Sequence, residues 1–212
     1  MLFVFSEDNL PQLYHYVAER HPVLKNILLQ YGQPPLWVRP NNFSTLVLTI
    51  LEQQVSLASA YAAFQRLKNK LPIIEPHSFL QLTDEELRAC AFTRQKIIYT
   101  RGLAQALLAR TISLQAFEHM EDETVRQQLK TLKGIGDWTV DIYLLHALRR
   151  TDVFPLGDLA LVKSVQALFP PSVSNSKNSM LQTAEAWHPY RSLATMLLWH
   201  WYIKTKNIKL LH

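Results

Sequence analysis

Cysteine is almost missing from this chain. Cys90 stands alone among 212 residues. That excludes an intramolecular disulfide and any four-cysteine zinc or iron–sulfur site, and it fits a reducing compartment. Glycine is scarce as well, with five in the whole chain. No apolar run approaches the ~20 residues a membrane span needs. The first ten residues, MLFVFSEDNL, lack a basic segment followed by a long apolar core, so no signal peptide is expected. No His/Cys/Asp cluster has zinc-ligand spacing. There is no internal repeat and no low-complexity segment.

What remains is a soluble globular composition, 48% apolar and 18% charged. The length suits one large domain or two small lobes. Lys and Arg outnumber Asp and Glu by 22 to 17, a net charge of +5. This balance is compatible with an anionic partner, nucleic acid first among them.

The glycine shortage and the apolar residues at i, i+3, i+4 argue for helices nearly throughout. Helices are expected near 9–19 and 22–30. Three prolines then make GQPPLWVRP an ordered loop. Asn41 or Asn42 caps a long helical stretch that breaks near 55–57. Pro72 and Pro76 end that region. Thr83 opens a capping box with Glu86 and a short helix to Cys90. Thr93 caps a helix over 94–110, and further helices are expected over 121–132 and 137–149. Asp158 caps one over 159–168. Pro170, Pro171 and a Ser/Asn-rich stretch read as a surface loop, followed by helices over 179–186 and 189–206. The expected architecture is all-α: two helical lobes with a central cleft, acting as one domain over residues 1–212.

Two of the five glycines fall together in LKGIGDWTVDIYLL (132–145). Glycine permits positive φ and close approach of another backbone, and Ile135 between them can plug the core. The helix that starts after Gly136 presents free N–H donors that can hold a phosphate, and Lys130 and Lys133 add charge beside it. The same residues also make a plain tight helix–helix connection, and Asp137 places a carboxylate next to the proposed anion site. Downstream, in VFPLGDLALVK, Asp158 either caps the helix that follows or points into a cleft.

LKGIGDWTVDIYLL followed by DVFPLGDLALVKSV resembles the helix-hairpin-helix DNA glycosylases that end in a Gly/Pro-rich loop and a catalytic Asp, and within them the DNA-3-methyladenine glycosylase II branch. ILEQQVSLASA, LTDEELRACAFTRQKIIYTRGLA and AWHPYRSLATMLLWHW resemble other motifs of that branch, so the likeness covers most of residues 37–203, with the hairpin at about 124–150. The first 36 residues are not diagnostic.

The resemblance implies a monofunctional hydrolase of base excision repair. It would release alkylated purines, of the 3-methyladenine and 7-methylguanine type, from double-stranded DNA after flipping the damaged base. Asp158 would be catalytic. Trp138 stands where backbone-cleaving relatives carry a lysine, so no Schiff base forms there; Lys133 and Lys163 do not match that position. Trp138 and Trp187, with Tyr190 and Trp37, are candidate walls of the base pocket. Gln54, with Gln53 beside it, is the candidate wedge into the DNA stack. Lys130, Lys133, Gly134 and Gly136 would grip the DNA backbone. No organic cofactor is implied, only a monovalent cation at the hairpin carbonyls of Leu132 and Gly134. Arg191 is expected to hold the C-terminal helix by reaching Asp158 or Asp141, and His146 and His200 to be satisfied core or cleft-edge groups. The protein is expected to act as a monomer in the cytoplasm or nucleus, without membrane or secretion. The alternatives are a non-catalytic hairpin protein that only binds DNA, and a glycosylase for a different lesion.

Overall fold

The computed structural model describes residues 3–208. The ends of the expected 1–212 span, residues 1–2 and 209–212, lie outside the described residues. The helices in chain order are α1 (Leu10–Ala18), α2 (Pro22–Tyr31), α3 (Phe43–Glu52), α4 (Leu57–Lys70) and α5 (Pro76–Gln81). They continue as α6 (Asp84–Ala89), α7 (Arg94–Leu108), α8 (Leu114–Phe117), α9 (Asp122–Lys130) and α10 (Asp137–His146). The last four are α11 (Leu159–Leu168), α12 (Pro171–Ser174), α13 (Lys177–Ala184) and α14 (Arg191–Thr205). Among the described residues the only paired extended backbone is an isolated antiparallel bridge between Val4 and Arg150. The fold is all-α.

Local chemistry sets the boundaries. Asn42, not Asn41, caps α3, its side chain accepting from the Thr45 N–H at 3.0 Å. Asn41 instead donates to Leu114 O at 2.8 Å. The Thr83–Glu86 capping box is present on α6. Ser56 caps α4 after the expected break. Four expectations need correction. Pro76 opens α5 rather than ending a helical region, since a proline at the first helical position forfeits no hydrogen bond. Pro171 opens α12 for the same reason, within the stretch expected to be loop. Helix α10 stops at His146, short of Arg149, whose φ of 55° breaks the helical path. Helix α14 starts at Arg191 rather than Pro189.

The described residues divide into two compact units. One comprises 3–38 and 144–208. Its central helix is α14, buried continuously from Ser192 to His200, with α1, α2 and α11 packed on it. A helix apolar on all sides has to be wrapped in this way. Its polar side chains are satisfied: Ser192 Oγ donates to Arg150 O at 2.6 Å and accepts the Val153 N–H at 2.9 Å. The N-terminal segment is tied here by Thr151 N–H to Phe3 O at 3.1 Å and Phe5 N–H to Arg149 O at 2.9 Å. Residues 3–36, undiagnostic in sequence, thus help build the unit that holds Asp158.

The other unit is 39–143. Its centre is α3, which buries Phe43, Leu46, Val47, Ile50 and Leu51, at ~1.5–3 kcal/mol for each large apolar side chain. Helices α4 and α7 pack on α3, and α5 packs on α7. The hairpin of α9 and α10 begins here.

Candidate functional site

Asp158 lies where the chain turns into α11. Its N–H reaches back to Pro155 O at 2.8 Å, and its Oδ1 accepts the Leu161 N–H at 2.9 Å as a helix N-cap. The same oxygen accepts the indole N–H of Trp199, from α14, at 2.8 Å. The residue is half-buried. Capping and a site role are therefore compatible: two N–H donors on one oxygen fix the carboxylate's orientation, while the side chain stays within reach of solvent.

Trp199 is the site residue the sequence reading missed. Its signal was present in LLWHW, within the apolar run of α14 that is buried from Ser192 to His200, but Trp187 earlier in the same motif takes its place in the sequence reading. Its ring is stacked on His146, with centroids 5.6 Å apart and planes 13° apart, and meets Trp37 edge-on at 6.4 Å. His146 Nδ1 lies 2.7 Å from Trp37 O, and His200 Nε2 lies 3.0 Å from Tyr31 O. Both histidines are satisfied by backbone carbonyls. Among the described residues no group of His, Cys, Asp or Glu is arranged to hold a metal ion. Trp37 is half-buried and lines a shallow cavity of about 320 Å3 with Pro35, His200, Ile203 and Lys204.

The other aromatic candidates differ in their exposure. Trp187 is 1% exposed and packed among His21, Phe154 and Phe169. Its rings are covered on all sides, so here it is a core residue rather than an open wall. Tyr190 is half-buried and meets Tyr16 edge-on at 5.0 Å. Trp138 is half-buried in the first turn of α10. Arg191 corrects a further expectation: it pairs with neither Asp158 nor Asp141. Its Nη2 lies 2.7 Å from Asp152 and its Nη1 2.9 Å from Glu185. The guanidinium holds the Asp152 carboxyl below the usual carboxylate range despite burial. Pairing within this neighbourhood is still what anchors the start of α14.

In the hairpin the two glycines serve different purposes. Gly134 has φ of 85°, and the ring of Tyr99, from α7, occupies the place a Cβ would take. Gly136 meets nothing within 4 Å of that position and is exposed. Ile135 is buried, as its place between them suggested. Lys133 is exposed. Lys130 is not an isolated charge: its Nζ lies 2.6 Å from Asp137 Oδ1, and this contact holds the Asp137 carboxyl below its usual range. Arg126 reaches Asp141 at 2.7 Å and Asp137 at 3.8 Å. Burial pushes the Asp141 carboxyl up to about 6, against the pull of Arg126.

The two carbonyls suggested for a monovalent cation are engaged inside the protein. Leu132 O accepts the Ile135 N–H at 3.1 Å, and Gly134 O accepts the Gln53 amide at 2.8 Å. Each of these bonds uses one of the carbonyl's two lone pairs, and no chemistry is routed through the pair.

The Gln53–Gln54 pair divides. Gln53 Nε2 donates to Gly134 O at 2.8 Å and to Thr139 Oγ1 at 2.9 Å. Gln54 is exposed, with φ of 58°.

A hairpin with one positive-φ glycine against an aromatic ring, and a capped, indole-bonded carboxylate downstream, define a helical protein built around a helix-hairpin-helix. Residues 47–189 match the model of the HhH-GPD superfamily base excision DNA repair protein. The chain belongs to that superfamily. It is 28% identical over 184 residues to YfjP of Bacillus subtilis, covering 83% of this chain and 64% of YfjP. It is 29% identical over 161 residues to DNA-3-methyladenine glycosylase 1 of Schizosaccharomyces pombe, covering 74% of this chain and 71% of that protein. The crystal structure of the DNA-3-methyladenine glycosidase from Bacillus halodurans superposes with a TM-score of 0.76 at 25% identity, covering 98% of this chain and 95% of that one. The chain thus spans about two thirds of the length of these two sequence relatives, 64% of one and 71% of the other.

Proposed function

We propose that this protein is a DNA glycosylase of base excision repair that hydrolyses the N-glycosidic bond of alkylated purines, of the 3-methyladenine and 7-methylguanine type, in double-stranded DNA. The observation that carries the reading is Asp158, held by the Leu161 and Trp199 N–H groups on one carboxylate oxygen. Membership of the superfamily and likeness to a yeast protein named DNA-3-methyladenine glycosylase 1 support it.

Breaking an N-glycosidic bond leaves positive charge on the sugar, and a fixed carboxylate stabilises that oxocarbenium-like transition state. An alkylated purine already carries charge and leaves readily, so a single oriented Asp suffices. Asp158 acts ionised, by electrostatic stabilisation, by drawing a proton from the attacking water, or by both. The base has to leave the stack to be reached, and aromatic faces such as those of Trp37 and Trp138 suit an electron-poor ring, at ~0.5–2 kcal/mol. Lys133, Gly134 and Gly136 serve the DNA backbone and Gln54 the gap left by the flipped base. Position 138 is an indole, which cannot form a Schiff base, so the enzyme leaves an abasic site uncut. It acts as a monomer wherever the DNA lies. No helix among the described residues is long and apolar enough to cross a membrane.

The test is Asp158→Asn on methylated duplex DNA. Asparagine caps a helix as well as aspartate does, so the fold and binding to an abasic-analogue duplex persist while base release falls by about 10²–10³-fold, the scale for losing one preorganised electrostatic group. Release near the wild-type rate overturns the assignment. Wild-type protein that binds duplex but releases no base from a panel of modified substrates supports the non-catalytic alternative, and release of other bases the different-lesion one. Borohydride trapping of a covalent adduct overturns the hydrolysis-only reading.

A further inference from the structure

Gln54 occupies an unusual backbone position. Gln53 has φ of −59° and ψ of 123°, and Gln54 follows at φ of 58°. That is the sign pattern of a type II turn, whose third residue is normally glycine. A glutamine there carries strain, and strain persists only where the surroundings over-determine the conformation.

The surroundings do so, residue by residue. Leu51 O, at the end of α3, accepts from Lys96 Nζ at 2.7 Å. Lys96 is 9% exposed, and burial lowers its affinity for the proton. Glu52 is gripped by Arg39 through two bonds of 2.8 Å and 2.6 Å. Gln53 ties to the hairpin at Gly134 O and Thr139 Oγ1. Lys96 and Tyr99 lie three residues apart and so on one face of α7. One of them holds the end of α3, and the other fills the space beside Gly134. Immediately beyond these three clamped residues come Gln54, Val55 and Leu57, all exposed.

We propose that Gln53, with Lys96 and the Arg39–Glu52 pair, consists of positioning residues that preset Gln54 as a rigid wedge coupled to the hairpin. The turn that fills the DNA stack and the hairpin that grips the backbone then move as one body, and the ordering cost is met at folding rather than at binding. The proposal rests on the role given to Gln54 under the proposed function. Gln53 itself does not enter the DNA: its amide is spent inside the protein.

The test reads wedge insertion without requiring catalysis. The probe is a duplex carrying a tetrahydrofuran abasic analogue opposite 2-aminopurine, whose fluorescence reports unstacking. Wild-type protein is expected to change the signal and Gln54→Ala to abolish the change. Gln53→Met is expected to bind the duplex within about twofold of wild type yet lose most of the fluorescence change. It should release an alkylated base from duplex about tenfold more slowly, with no slowing on a single strand, where no gap is left to fill. Thr139→Val is expected to weaken the response and Thr139→Ser to restore it, which keeps the question decidable should Gln53→Met fail to fold. An undiminished fluorescence response in Gln53→Met overturns the proposal, as does equal slowing on duplex and single strand, or a wild-type protein that leaves the probe unchanged. Wild-type protein that alters the probe but releases no base overturns the glycosylase reading alone.

Discussion

The indole N–H of Trp199 and the backbone N–H of Leu161 converge on one oxygen of Asp158, at 2.8 Å and 2.9 Å. One contact comes from the helix that Asp158 caps and the other from α14, the buried centre of the same unit. The carboxylate is thereby oriented by two elements far apart in sequence. Changes at Trp199 and at Asp158 should accordingly be coupled.

Trp199→Phe keeps a ring against His146 but removes the donor. A hydrogen bond to a charged group contributes about 1.5–3 kcal/mol, so single-turnover base release should fall by about tenfold or more while duplex affinity stays level. In an Asp158→Asn background the same change should have little further effect on release, because the carboxylate it orients is gone. Full additivity in the double variant would separate Trp199 from the acid's role.

The two hairpin glycines should respond oppositely to alanine. Gly134→Ala meets both a φ of 85° and the Tyr99 ring, so thermal or urea unfolding should show a loss of about 2 kcal/mol or more. Gly136→Ala has open space and should cost stability little. If the backbone at Gly136 approaches a phosphate, its cost appears instead as weaker duplex binding, read by titration at fixed salt.

Charge at the hairpin should be unequal between the two lysines. Lys133 is exposed, whereas Lys130 is paired with Asp137 at 2.6 Å. Lys133→Ala should reduce the log–log slope of duplex affinity against salt by about 0.9, the value for one phosphate contact. Lys130→Ala should change it less. Asp137→Asn releases Lys130 and should tighten binding, most visibly at low salt.

Asp141 should make stability depend on pH. Its carboxyl is pushed up to about 6 by burial, above the ordinary ~3.9 of the unfolded chain. Between those values the folded state binds a proton that the unfolded state does not, so stability falls as pH rises from about 4 to 6 and stays lower above. Asp141→Asn, which can still accept from Arg126, should therefore be more stable than wild type at pH 7 by about 1–2 kcal/mol. The two should converge near pH 4. Unfolding curves across that range decide it.

Much of this was legible in the sequence because it depends on neighbours in the chain. The Thr83 capping box, the break near 55–57, the Asp158 cap and the burial of Ile135 between two glycines are all set within a few residues. The positive φ of Gly134 followed from a tight helix–helix turn. The prolines misled where they open helices, at Pro76 and Pro171, because proline's missing donor is harmless at a first helical position and disruptive further in.

The sequence by itself determined an all-helical chain, the hairpin, the capping aspartate and the absence of an amine at position 138, since these rest on residue type, spacing and backbone preference. Tertiary structure alone decided which tryptophan bonds Asp158, that Trp187 is core, that Arg191 pairs with Asp152, and that Gln53 faces inward while Gln54 faces out. Those outcomes depend on which distant side chains arrive at the same place. Hydrogen bonds and ion pairs at about 3 Å are satisfied by geometry across helices, and local pattern carries no record of it.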